Sequence, residues 1–155
     1  MKYFYCDSCF LITMYQTRYL DLLSQYKDQF FVSDSQIKAK LIKPGNLASL
    51  VRKSLTVIFD REEIWQKASE LAKVHSPLSK YDCLALAFAI IDGYCLVTDD
   101  AALSKAATKY GVKTKTCAEI NEEFNLNKGW INKRDSAQKQ LWINCSRLFK
   151  EFGTN

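Results

Sequence analysis

Four aspartates in this chain sit where carboxylates can do chemistry. Asp7 closes the short apolar run Tyr3-Phe4-Tyr5-Cys6, Asp99 and Asp100 follow Tyr94-Cys95-Leu96-Val97-Thr98, and Asp82 opens the apolar stretch that begins at Cys83. Both runs read as buried strands, and ligands of open α/β sheets bind outside the carboxyl ends of the strands. Asp82 has the neighbours Cys83, Leu84, Leu86 and Ala89, all expected to be buried. A carboxylate in such surroundings costs several kcal/mol unless it is paired or bound to a cation. Carboxylates that converge repel one another, and a hard divalent cation such as Mg²⁺ resolves the repulsion, polarises a phosphodiester and acidifies water. Each aspartate also has an ordinary structural explanation. An acid in the first turn of a helix gains ~0.3–1 kcal/mol from the helix dipole, and a strand-end Asp often caps the next helix. Three acids together at the right ends of the right elements point to chemistry.

Other catalytic systems find little support. The single histidine, His75, precedes Pro77 in a loop, and the five glycines are scattered rather than gathered into a phosphate-binding loop. Cys6 and Cys9 form a Cys-x-x-Cys pair, but no second pair follows at zinc-site spacing. Cys83 and Cys95 lie inside apolar runs, where a reduced thiol serves as a small hydrophobe. Asp7 as a phosphoryl-accepting nucleophile would want a second Asp close behind it, and Ser8-Cys9-Phe10 does not supply one.

The elements that must position the acids alternate between strand and helix. Ser8 can cap a first helix, with Leu11, Ile12, Tyr15, Tyr19, Leu22 and Leu23 at helical spacing. Phe30 to Val32 is a second strand, followed by a helix capped by Ser33 or Asp34 and running to about Ile42, where Pro44-Gly45-Asn46 breaks the chain. Leu55 to Phe59 has strong β character, and Asp60 can start a helix carrying Ile64, Trp65, Ala68 and Leu71. Ser79 to Ile91 is apolar nearly all round, so it should be a central helix, ended by Gly93. Ala101 to Tyr110 is a helix closed by Gly111, Val112 to Thr116 a last strand, and Ala118 to Leu126 and Arg134 to Phe152 a helical tail. This order predicts a three-layer α/β/α fold around a mostly parallel sheet. Residues 1–130 are expected to form the domain and 131–155 a helical C-terminal extension packed on it.

The 155 residues suit one domain, and 48% hydrophobic against 25% charged residues predicts a packed core rather than disorder. No apolar run is long enough to span a bilayer and the N-terminus lacks secretory features, so a cytoplasmic location is expected. The net charge of +5 is mild, but acids gathered at one site leave the remaining surface more basic. Arg18, Lys38, Lys40, Lys43, Arg52, Lys53, Lys80 and Lys105 are candidates to contact a nucleic acid, with Lys40, Lys80 and Lys105 foremost.

Three segments together resemble the PIN-domain superfamily. Asp7-Ser8-Cys9-Phe10-Leu11-Ile12 resembles its opening, Leu78 to Ala89 its central helix motif, and Leu96-Val97-Thr98-Asp99-Asp100 its strand end. The helix and strand through Ala106 to Val112 follow in order, so the likeness covers about residues 3–130. The resemblance implies a Mg²⁺- or Mn²⁺-dependent ribonuclease, many relatives being toxins held inactive by a small antitoxin, and homodimers. It implies Asp7, Asp82 and Asp100 as metal ligands, Asp99 as a further acid, and Ser8 and Thr98 in support. One departure stands out. The family carries a glutamate on the helix after the second strand, and the corresponding position here falls on Ala39 or Lys40. The alternative to an enzyme is therefore a catalytically degenerate module of the same fold that binds RNA or a protein.

Overall fold

The computed structural model describes residues 2–126. The expected helix from Arg134 to Phe152, and the whole extension 131–155, lie outside the described residues. The elements run β1 (Phe4–Cys6), α1 (Ser8–Gln16), a 3₁₀ segment (Leu20–Tyr26), β2 (Phe30–Ser33), α2 (Asp34–Lys40), α3 (Leu47–Ser54), β3 (Thr56–Ile58), α4 (Glu62–Val74), α5 (Lys80–Asp92), β4 (Cys95–Val97), α6 (Ala101–Lys109), β5 (Thr114–Lys115) and α7 (Cys117–Glu123). The five strands form one sheet in the order β3-β2-β1-β4-β5, and every pairing is parallel. The expected three-layer α/β/α fold is present, with a sheet that is wholly rather than mostly parallel.

Alternation along the strands builds the two outer layers. Phe4 and Cys6 of β1 point into one core with Phe30 and Val32 of β2 and Val97 of β4. That core is completed by Phe10, Leu11 and Met14 of α1, Ile37 of α2, Leu47 and Val51 of α3, and Ile120 of α7. Tyr5 of β1 and Leu96 of β4 point the other way, against Ile64 and Leu71 of α4, the whole buried run Cys83–Ala89 of α5, and Leu103 and Ala107 of α6. A strand sandwiched in this way is apolar on both faces, and so the strands read as continuous apolar runs.

Three local expectations are corrected. The first helix does not continue to Leu23. It ends at Thr17, where Arg18 adopts φ 67°, Tyr19 N–H bonds to Met14 C=O and Arg18 N–H to Tyr15 C=O. That is a Schellman ending built without glycine. A helix, α3, occupies Leu47–Ser54, where the sequence offered only a break. The helix expected to begin at Asp60 begins at Glu62, and Asp60 instead accepts from the Trp65 indole N–H at 2.8 Å. Among the described residues no helix is long and apolar enough to cross a membrane.

Candidate functional site

The sheet reverses its winding direction between β1 and β4, which lie side by side with Cys6 opposite Val97. A reversal of this kind opens a crevice at the strands' carboxyl ends. Asp7 leaves β1 there and Thr98-Asp99-Asp100 leave β4, with Asp7 N–H bonded to Val97 C=O at 3.0 Å. The topology thus brings together two of the segments singled out from sequence, and α5 adds Asp82 from its first turn.

Asp7 is buried and caps α1. Its Oδ1 accepts from Ser8 N–H at 2.8 Å, and its Oδ2 accepts from the Thr98 hydroxyl at 2.7 Å and the Cys9 thiol at 3.4 Å. Burial, and next the charge of Asp82, push its carboxyl up from 3.8 to about 6, against the lowering pull of those hydrogen bonds. Thr98 is fully buried and its hydroxyl works twice, donating to Asp7 and accepting Asp100 N–H at 3.0 Å. It ties the ends of β1 and β4 into one unit.

Asp82 belongs to a capping box. Its Oδ2 accepts from Ser79 N–H at 3.0 Å, while Ser79 Oγ accepts from Asp82 N–H at 3.1 Å. Its carboxyl is raised chiefly by burial, with a contribution from Asp100, and is held back by the Ser79 bonds and the Lys40 charge. Asp100 caps α6, its Oδ1 accepting from Leu103 N–H at 3.0 Å. Asp7, Asp82 and Asp100 therefore sit at the N-termini of three helices, each in the field of the next. The other carboxylate oxygens of Asp82 and Asp100 have no hydrogen-bond partner among the described residues. Asp99 Oδ1 accepts from Cys117 N–H at 2.9 Å and fastens α7 to the sheet end, while its charge, with those of Asp7 and Asp100, acts on the Cys9 thiol.

A further buried polar residue, Gln36, carried no mark as a site residue in the sequence. Gln36, in the first turn of α2, is buried, and neither Ala39 nor Lys40 occupies its place, since both are exposed on the last turn. The Gln36 amide accepts from the Tyr5 hydroxyl at 2.5 Å and donates to Cys6 C=O at 3.1 Å and Ser8 Oγ at 3.0 Å. It fills the β2 side of the site with a neutral group whose hydrogens are both used. The signal was present in Ser33-x-x-Gln36, the spacing of a helix N-terminus, and Ser33 Oγ does accept Gln36 N–H at 3.2 Å.

The lysines divide. Lys40 and Lys80 are exposed at the rim beside Asp82, with Lys40 close enough to depress the Asp82 carboxyl. Lys105 is exposed on α6. Lys38 and Arg52 both pair with Asp34, at 3.0 Å and 2.7 Å. Cys6, Cys9, Cys83 and Cys117 are buried free thiols and Cys95 is half-buried and free. Burial raises them all.

Among the described residues, no group of three or more His, Cys, Asp or Glu side chains is arranged to hold an ion outright. Mg²⁺ needs only one or two protein carboxylates, the remainder coming from water and phosphate oxygens. An all-oxygen donor set, with unpartnered oxygens on Asp82 and Asp100 and an Asp7 carboxyl that burial and then the Asp82 charge raise only to about 6, fits such an ion. Compared with known proteins, the chain matches no family model and no curated protein.

Proposed function

We propose that this chain is a divalent-cation-dependent endoribonuclease of the PIN kind, hydrolysing RNA phosphodiesters at Asp7, Asp82 and Asp100. The observation that supports it is the gathering of one buried and two half-buried aspartates at the sheet's switch point, where burial and then the Asp82 charge raise the Asp7 carboxyl, and burial with a contribution from Asp100 raises that of Asp82. Such crowding of acids favours a site that binds a counter-charge. Asp7, Asp82 and Asp100 would hold Mg²⁺ or Mn²⁺, which when bound supplies polarisation of the phosphodiester and acidified water. The chain's own contribution is positional. Thr98 fixes the Asp7 carboxylate against the β4 end, the capping box fixes Asp82, and Asp7 releases its proton near neutrality. The same proposal has the protein working in the cytoplasm on single-stranded RNA, with an inhibitory antitoxin and a second copy of the chain as its protein partners.

The test is cleavage of single-stranded RNA by the wild type and Asp82→Asn, each with Mn²⁺ and with EDTA. Asn keeps an oxygen for the capping box, so the variant removes charge rather than the helix start. Cleavage confined to the wild type with Mn²⁺ supports the proposal, and cleavage unaffected by either change overturns it.

One observation favours a second function, a non-catalytic binding module. Gln36 puts a neutral amide where another carboxylate could enter the site. RNA binding without cleavage under any cation would select it.

A further inference from the structure

Next to Asp82 the surface carries an aromatic pair with ammonium groups resting on it. Trp65 of α4 and Tyr81 of α5 are half-buried, their rings edge to face with centroids 6.2 Å apart. Lys80 Nζ lies 5.2 Å from the Trp65 centroid and 5.7 Å from that of Tyr81, and Lys40 Nζ lies 5.9 Å from the Tyr81 centroid. The indole is held by its bond to Asp60, and Ile64 and Ala68 of α4 share one buried core with Leu84 of α5, while both lysines are exposed. Neither lysine is in an ion pair among the described residues, unlike Lys38 and Arg52.

We infer that this ledge binds single-stranded nucleic acid, with bases stacked on Tyr81 and Trp65 and phosphates on Lys40 and Lys80. An ammonium on an exposed ring is held more weakly than a stacked base. An arriving base therefore displaces it, and the displaced ammonium finds the phosphate that the base brings with it. Lys40 lies over Tyr81 and its charge also acts on Asp82, so the ledge borders the acidic cluster. The inference deepens the hydrolase proposal and rests on it only for what happens to the strand after binding.

The test is done in EDTA, where cleavage cannot interfere. A short single-stranded oligo(A) RNA is titrated while protein fluorescence and the anisotropy of labelled RNA are followed. The expected results are quenching that Trp65→Phe removes, and binding weakened about tenfold by Tyr81→Ala. Lys40→Ala and Lys80→Ala should each flatten the slope of log affinity against log salt by about 0.7. Both lysines are exposed, so these variants test the ledge even if Tyr81→Ala unfolds. Absence of quenching, an unchanged salt slope in both lysine variants, or equal quenching by polyglutamate would overturn the inference. Binding at the ledge with no cleavage in Mn²⁺ would defeat the hydrolase proposal and leave the ledge standing. Asp82-dependent cleavage indifferent to Tyr81, Lys40 and Lys80 would do the reverse.

Discussion

Thr98 shows how much of the site hangs on single atoms. Its buried hydroxyl serves both Asp7 and the backbone of Asp100, so Thr98→Val leaves an unmet acceptor and an unmet donor in the same volume. A loss of ~1–3 kcal/mol in urea unfolding is expected, largely restored by Thr98→Ser. Asp7 gives a pH signature. Its folded carboxyl titrates at about 6 against the ordinary 3.8, so the folded protein holds the proton more tightly than the unfolded chain does between those values. The stabilisation is complete below about pH 4 and is lost as pH rises through 6, by ~3 kcal/mol, and Asp82 acts in the same direction. In EDTA, Asp7→Asn should flatten that fall; an unchanged pH profile of the melting temperature would count against the burial of a charged Asp7. Gln36→Glu is expected to destabilise at neutral pH by roughly 1–3 kcal/mol, because a carboxylate cannot donate to Cys6 C=O or Ser8 Oγ. The penalty should shrink on acidification, when the new carboxyl regains a hydrogen.

At the scale of elements, chain ends and caps decide where the acids point. α1 ends on Arg18 in the left-handed region, which costs a non-glycine residue about 1 kcal/mol. Arg18→Gly should therefore leave stability unchanged or raise it by up to ~1 kcal/mol, read as a shift in the urea midpoint; a clear loss would mean that the Arg18 side chain contributes more than its backbone costs. This turn was not legible, because Gln16-Thr17-Arg18-Tyr19 carries neither Gly nor Pro and the apolar spacing runs straight through it. α3 was hidden for the opposite reason. Pro44-Gly45-Asn46 announces a break, and only Leu47 and Val51 mark the buried face of the short helix beyond it. The elements that hold the site were plain because each carries two agreeing signals. β1 and β4 are apolar runs ending in Asp, and α5 has Ser79 at its start, Gly93 at its end and an unbroken apolar centre. What sequence could not separate was Asp99 from Asp100, since adjacent residues at a strand end face different ways. Only the fold shows Asp99 given to α7 and Asp100 to α6.

The whole molecule joins these parts by topology. Parallel strands wound outward in both directions from β1 and β4 leave one crevice at their carboxyl ends. The three helices α1, α5 and α6 present their N-termini there, each answered by an aspartate. Helix dipoles stabilise those carboxylates only by fractions of a kcal/mol each, whereas burial, helped by a neighbouring acid, raises the carboxyls of Asp7 and Asp82. The central claim is that a divalent cation makes up this difference. The most direct test is calorimetric titration of Mn²⁺ into the wild type and Asp82→Asn, at about pH 7.5 and about pH 5, with and without a non-hydrolysable single strand. Saturable binding by the wild type, weaker at the lower pH and lost in Asp82→Asn, is the predicted result. No saturable binding by either protein, even with the strand present, would contradict the claim and leave the three aspartates as helix caps.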